Sequence, residues 1–203
     1  MPTVSTSPHS IALNFNEGEY LTVEHGSLVA HSDQIKFEHC PESNILDGIR
    51  RAVAGSSFQA RRLTWLSDDA WVVLGGPGDT PSSVISLDVP RGEDGSLVIA
   101  DGAWLANTSG VNLAPAWKGV KSALARERAV MSRATGEGTV VLYHPGSITQ
   151  VDLEEGQNIH LGQGRLVAYS GDVTLDANRI ANRTVITASG PGTVLYSSNS
   201  ETA

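Results

Sequence analysis

Short apolar-rich runs, each broken by a glycine, recur along this chain. Leu21-Thr22-Val23-Glu24-His25-Gly26-Ser27-Leu28-Val29-Ala30 is the first, Leu97-Val98-Ile99-Ala100-Asp101-Gly102-Ala103-Trp104-Leu105-Ala106 the second, and Ile159-His160-Leu161-Gly162-Gln163-Gly164-Arg165-Leu166-Val167-Ala168 the third. Aligned on the glycine, each run predicts a strand, a glycine turn and a second strand. Alternation with the period of two of a half-buried strand follows in Gln34-Ile35-Lys36-Phe37, Gly110-Val111-Asn112-Leu113 and Asp172-Val173-Thr174-Leu175. Each unit then closes on an apolar run entered by a turn: Asp69 to Leu74, Glu137 to Leu142 and Pro191 to Tyr196.

Self-similarity of this kind fixes architecture more firmly than local propensity does. It predicts three diverged copies of one strand-rich unit, at about 11–78, 79–146 and 147–203, within a single domain over 1–203. The linker between marker glycine and closing run shortens from copy to copy. In the first copy Ile45, Leu46, Ile49 and Val53 share one helical face, with Asn44 as cap and Gly55 as terminator. In the second Trp117, Val120 and Leu124 do so, with Pro115 in the first turn. The third copy has only Asn178 to Arg183 there, too short for more than one turn. The expected fold class is therefore all-β with two short helices.

The glycine turns with their apolar-Ala step, the linker Leu46 to Phe58, the segment Leu97 to Ala106 and the closing Gly190-Pro191-Gly192-Thr193-Val194-Leu195 together resemble the altered-inheritance-of-mitochondria family, over about Glu19 to Ser197. Bacterial members of that family are catalogued as a domain of unknown function. The resemblance implies a β-sandwich of three diverged strand-rich repeats, similar to the tryptophan RNA-binding attenuation protein fold, and a tendency to oligomerise. It carries over no catalytic residue. The chain departs from longer members in its short tail after Tyr196 and in having little of the glycine-rich stretch before the final strand.

Length and charge narrow the reading further. A chain of 203 residues buries a self-sufficient core, and 21 glycines with 18% charged residues describe a globular, turn-rich protein. No apolar run reaches the roughly 20 residues of a membrane helix, and Met1-Pro2-Thr3-Val4-Ser5 lacks the layout of a signal peptide. The expected location is cytoplasmic. A net charge of −8 opposes nonspecific attraction to nucleic acid, which depends on cations meeting phosphates. Kinship with an RNA-binding fold does not change that, because fold alone carries no function.

Candidate chemistry is sparse. His25, His31 and His39 lie near Glu24 and Glu38 in sequence, yet neither His-x-His nor His-Glu-x-x-His occurs, so they read as turn and strand residues and no metal or cofactor is expected. Cys40 is the single cysteine, which excludes an internal disulfide and leaves a thiol nucleophile without an identified activating partner. No Gly-x-Ser-x-Gly is present, and Gly75-Gly76-Pro77-Gly78-Asp79 lacks the lysine of a phosphate loop and reads as a turn. Trp104 aligns with Leu28 and Leu166, and Trp117 falls on an apolar helix face, so both read as core. Trp65 has no assignment from the pattern.

The basic residues are unevenly placed: Arg50, Arg51, Arg61, Arg62, Lys118, Lys121, Arg126 and Arg128 gather in two segments poor in acids. They are either solvated faces or a rim that contacts an acidic protein, an anionic lipid surface or another subunit. Two function classes follow. One is a noncatalytic, self-associating assembly or scaffold protein, a homo-oligomer closed as a trimer or ring. The other is a small-ligand-binding or metal-dependent enzyme of the double-stranded β-helix kind.

Overall fold

The computed structural model describes residues 9–39, 60–76, 82–91, 95–116, 131–180 and 183–198. These residues form eighteen strands and, among them, no helix. The first six are β1 (Ser10–Leu13), β2 (Tyr20–Glu24), β3 (Leu28–His31), β4 (Ile35–His39), β5 (Ala60–Trp65) and β6 (Val72–Gly75). The next six are β7 (Ser82–Asp88), β8 (Leu97–Ala100), β9 (Trp104–Thr108), β10 (Val111–Pro115), β11 (Met131–Gly136) and β12 (Thr139–Pro145). The last are β13 (Ile148–Leu153), β14 (Asn158–Gly162), β15 (Leu166–Gly171), β16 (Thr174–Ile180), β17 (Arg183–Ser189) and β18 (Gly192–Ser197).

One pairing scheme serves all three sets. The first and third strands of a unit flank its sixth, as in β1-β6-β3, and the second and fourth flank its fifth, as in β14-β17-β16. All ladders are antiparallel, and the result is a layered, sandwich-like all-β fold. The turns repeat as closely as the strands. Gly26, Gly102 and Gly164 have φ of 93°, 75° and 69°, the left-handed region in which a side chain is disfavoured. Around them the same backbone bond recurs three times at 2.8 Å: Gly75 N–H donates to Ser27, Tyr143 N–H to Ala103, and Ser197 N–H to Arg165.

A bulge follows each turn at the same place. The register shifts between Leu28 and Ala30 against β6, between Val141 and Leu142 opposite Ala106 and Trp104, and between Leu166 and Ala168 against β18. The extra residue is Val29, Leu105 or Val167, and the bulge bends the strand and re-aims its side chains.

Units are joined by pairing the second strand of one with the third strand of the next. β2 pairs β9, and β8 pairs β15, which merges half-units into two six-stranded sheets, β4-β5-β2-β9-β12-β7 and β10-β11-β8-β15-β18-β13. The cores interlock accordingly. The first unit's cluster around Leu21, Leu63, Trp65 and Leu74 also holds Leu105 and Ala106 of the second unit. The second unit's cluster around Ile99, Trp104 and Leu142 holds Val167 and Ala168 of the third.

Both helical expectations, Ile45 to Val53 and Trp117 to Leu124, fall outside the described residues. Two neighbouring expectations are corrected. Pro115 does not open a helix: it ends β10, opposite Ser132, on a strand at the margin of its sheet, where a residue without an N–H is tolerated. Residues assigned to a linker in the third copy belong to a hairpin instead, since β16 runs to Ile180 and pairs it with Arg183 of β17.

Candidate functional site

The two ends of the series of units differ from its middle. β2, β8, β9 and β15 are each paired on both sides, whereas among the described residues their counterparts β3, in the first unit, and β14, in the third, are outermost in three-stranded sheets. An outermost strand presents unused N–H and C=O groups to whatever adjoins it.

Exposed apolar side chains gather at the β3 end. Val29 is 64% exposed, while its counterparts Leu105 and Val167 are fully buried. Phe37 is 41% exposed, while Leu113 and Leu175, at the same place on the fourth strand, are at 5% and 1%. Among the described residues only Leu66 is another large apolar side chain so exposed. Phe37 meets the His31 ring edge-on with centroids 4.8 Å apart, and the His31 Nδ1 lies 2.8 Å from the Ser32 carbonyl. Beside it a shallow concavity of about 210 Å³ is lined by Val23, Leu28, Phe37 and Leu63, with Glu24, His25 and Arg61 at its polar side.

At the other end β14 exposes Asn158 and His160, and buries Leu161. His160 Nδ1 lies 3.0 Å from the Thr187 hydroxyl on β17, and Asp176 of β16 stands across Thr187 in the same row.

Of the eight basic residues singled out from sequence, only Arg61 and Arg62 are described, both on β5. As neighbours in a strand they project to opposite faces. Arg61 borders the concavity, whereas Arg62 lies over the Tyr20 ring at 4.2 Å from its centroid. Arg50, Arg51, Lys118, Lys121, Arg126 and Arg128 lie outside the described residues. Glu38, on the strand beside β5, is held below the usual carboxylate range by a hydrogen bond and charge attraction from Lys36, whose Nζ is 2.9 Å away.

The histidines do not converge. His25 is in the β2–β3 turn, His31 on β3 and His39 at the end of β4, and among the described residues no group of three or more His, Cys, Asp or Glu is placed to hold one ion. Two of the three described tryptophans, Trp65 and Trp104, are buried in the core, and Trp71 is half-buried. Trp65, unassigned from sequence, is fully buried, donates Nε1–H to the Ala70 carbonyl at 2.9 Å and meets Phe15 edge-on. Trp104 is 6% exposed and donates to Asn107.

The geometry thus describes an all-β chain of serially joined units with an open strand at each end of the series. The family model for mitochondrial biogenesis AIM24 matches residues 3–199, and the chain belongs to that family. No curated protein matches it. In fold it is similar to protein SPYM3_0169 from Streptococcus pyogenes, a crystal structure with TM-score 0.72 and 18% identity, over 97% of this chain and 92% of that one. Among the described residues no helix is long and apolar enough to cross a membrane.

Proposed function

We propose that this protein is a noncatalytic assembly or scaffold protein that works as a homo-oligomer, closed as a trimer or ring. One observation carries the reading: each boundary between units inside the chain is sealed by pairing a second strand with a third strand, and one strand of each kind is left outermost at the two ends. Repeating units of this sort leave edges that pairing between subunits covers. The exposed Val29 and Phe37 add apolar area at one of those ends. Burying a side chain of that size contributes about 1.5–3 kcal/mol.

The basic residues Arg50, Arg51, Arg61, Arg62, Lys118, Lys121, Arg126 and Arg128, eight of the chain's fourteen, are the proposed contacts to another subunit, an acidic protein or an anionic lipid surface. Exposed pairs of this type contribute only about 0–1 kcal/mol each, so they steer rather than hold.

Light scattering on the purified chain at micromolar concentration, over a salt series, tests the reading. An oligomer is expected, and a monomer in low salt overturns the assembly claim. Stoichiometric zinc, iron or manganese in the native protein would overturn the noncatalytic part and favour the double-stranded β-helix enzyme.

A further inference from the structure

We infer that β3 of one copy pairs antiparallel with β14 of a second copy, in the register the chain uses at its own internal junctions, and that Val29 enters the core of that copy's third unit. The inference rests on the self-association proposed above and names the surface and the contact through which it occurs.

The argument begins with the cores. The bulge residue of each third strand is lent to the preceding unit: Leu105 lies in the first unit's core and Val167 in the second's. The third unit's core, around Leu161, Leu175, Ile186 and Val194, takes side chains from the second unit but no such bulge residue from a following one. Val29 is the bulge residue for which the described residues hold no preceding unit, and it is 64% exposed. A core that takes no bulge residue from a following unit and an exposed bulge residue therefore belong to opposite ends of the series of units. They belong to strands of the two types that pair wherever two units meet.

The register follows from the two junctions already made. Leu21, Thr22 and Val23 face Thr108, Asn107 and Ala106; Leu97, Val98 and Ile99 face Ser170, Tyr169 and Ala168. Carried to the ends through the marker glycines, the same register sets Ile159, His160 and Leu161 of one copy against Ser32, His31 and Ala30 of the next. A slip of one residue would turn Val29 away from the core it fits, which is what pins the register. The surface continues the series of interfaces within the chain, so its occupant is a second copy. Within one chain β3 and β14 are not paired.

The contact is heterologous, since a head meets a tail rather than its own kind, and repetition gives a closed ring or a filament. His31 and His160 become direct cross-strand neighbours, at a separation that a disulfide spans when both are cysteine.

Two variants test this on the full chain. Val29→Asp should abolish assembly at micromolar concentration while leaving the circular dichroism spectrum of the dissociated chain unchanged, because Val29 is 64% exposed there; Val29→Ile should retain assembly. In a Cys40→Ser background, His31→Cys with His160→Cys should give, under mild oxidation, a reducible ladder of chain-to-chain cross-links that neither single cysteine gives. If the wild type assembles but the Val29→Asp chain assembles equally well and the double cysteine chain forms no ladder, this inference fails and the broader proposal stands. A single, compact, internally cross-linked chain also overturns it, by showing that β14 closes on β3 of its own chain. A monomeric wild type sinks both. Should the Val29→Asp chain not fold, the ladder alone decides.

Discussion

Leu105 and Val29 occupy the same bulge position in successive units, yet Leu105 is fully buried and Val29 is 64% exposed. The local causes are alike: both follow a glycine turn, both precede an alanine, and both sit where the ladder to the sixth strand slips by one. What differs is the neighbour. Leu105 projects into a core built by the unit before it, and among the described residues no unit precedes the first. Burial here is a property of the junction between units.

Truncating the two residues should separate local from junctional effects. Leu105→Ala removes fully packed methyl groups and is expected to cost about 2–4 kcal/mol. Val29→Ala, read on the dissociated chain, should stay within about 0.5 kcal/mol of wild type. Urea unfolding at high dilution measures both, and equal losses at the two sites would mean that Val29 is packed within its own chain.

Gly76 carries the second prediction. A methyl group built there would lie 1.9 Å from the Tyr143 ring, whose side chain is only 6% exposed and therefore has little room to withdraw. The first and second units meet at this approach. Gly76→Ala should cost about 1–3 kcal/mol through overpacking. Since the clash is with the ring itself, Tyr143→Leu in the same chain should recover part of the loss, which a double-mutant cycle on unfolding free energies would register as coupling.

How much of this was legible in the residues depends on where each property resides. The marker glycines were legible because a left-handed turn selects against side chains, so Gly26, Gly102 and Gly164 stand out as punctuation between apolar runs. The fifth strands were not: Ala60-Arg61-Arg62-Leu63-Thr64-Trp65 and Met131-Ser132-Arg133-Ala134-Thr135-Gly136 are so polar on the outer face that their alternation is weak, although Leu63 and Trp65 are fully buried. The first strands, such as Ser82–Asp88, were also missed, though the alternation Val84, Ser86, Asp88 against Ile85, Leu87 was a usable signal. The open ends were beyond reach of pattern alone. Val29 and Val167 have the same sequence surroundings and opposite burial, because only the order of pairing decides which is covered.

Acid should remove the contribution of the Lys36–Glu38 pair. Lys36 lowers the carboxyl of Glu38 below the usual range in the folded chain, so the stability it adds is present above the unfolded carboxylate range and is lost as the pH falls through the lower folded value. Both side chains are well exposed, at 56% and 39%, so the effect is small and screened by salt. Lys36→Gln is therefore expected to lower the melting temperature slightly at neutral pH and low salt. The gap should close in strong acid and at high ionic strength; a gap that persists in both would assign the loss to packing instead.

Mixing experiments distinguish a head-to-tail contact from a symmetric one. A chain carrying Val29→Asp has a blocked β3 end but an intact β14 end, so in a head-to-tail series it can accept a wild-type neighbour on one side and then offers nothing on the other. Added in small proportion to wild type, it should terminate the series and reduce the mean size seen by light scattering well beyond its share of the chains. A symmetric contact between two β3 ends predicts something else. There the altered chain would be excluded from pairing, and the wild-type oligomer would persist at its original size, diminished only by dilution. Size reduction that grows with the added fraction, together with recovery when the altered chain is removed, is the outcome the open ends of this fold predict.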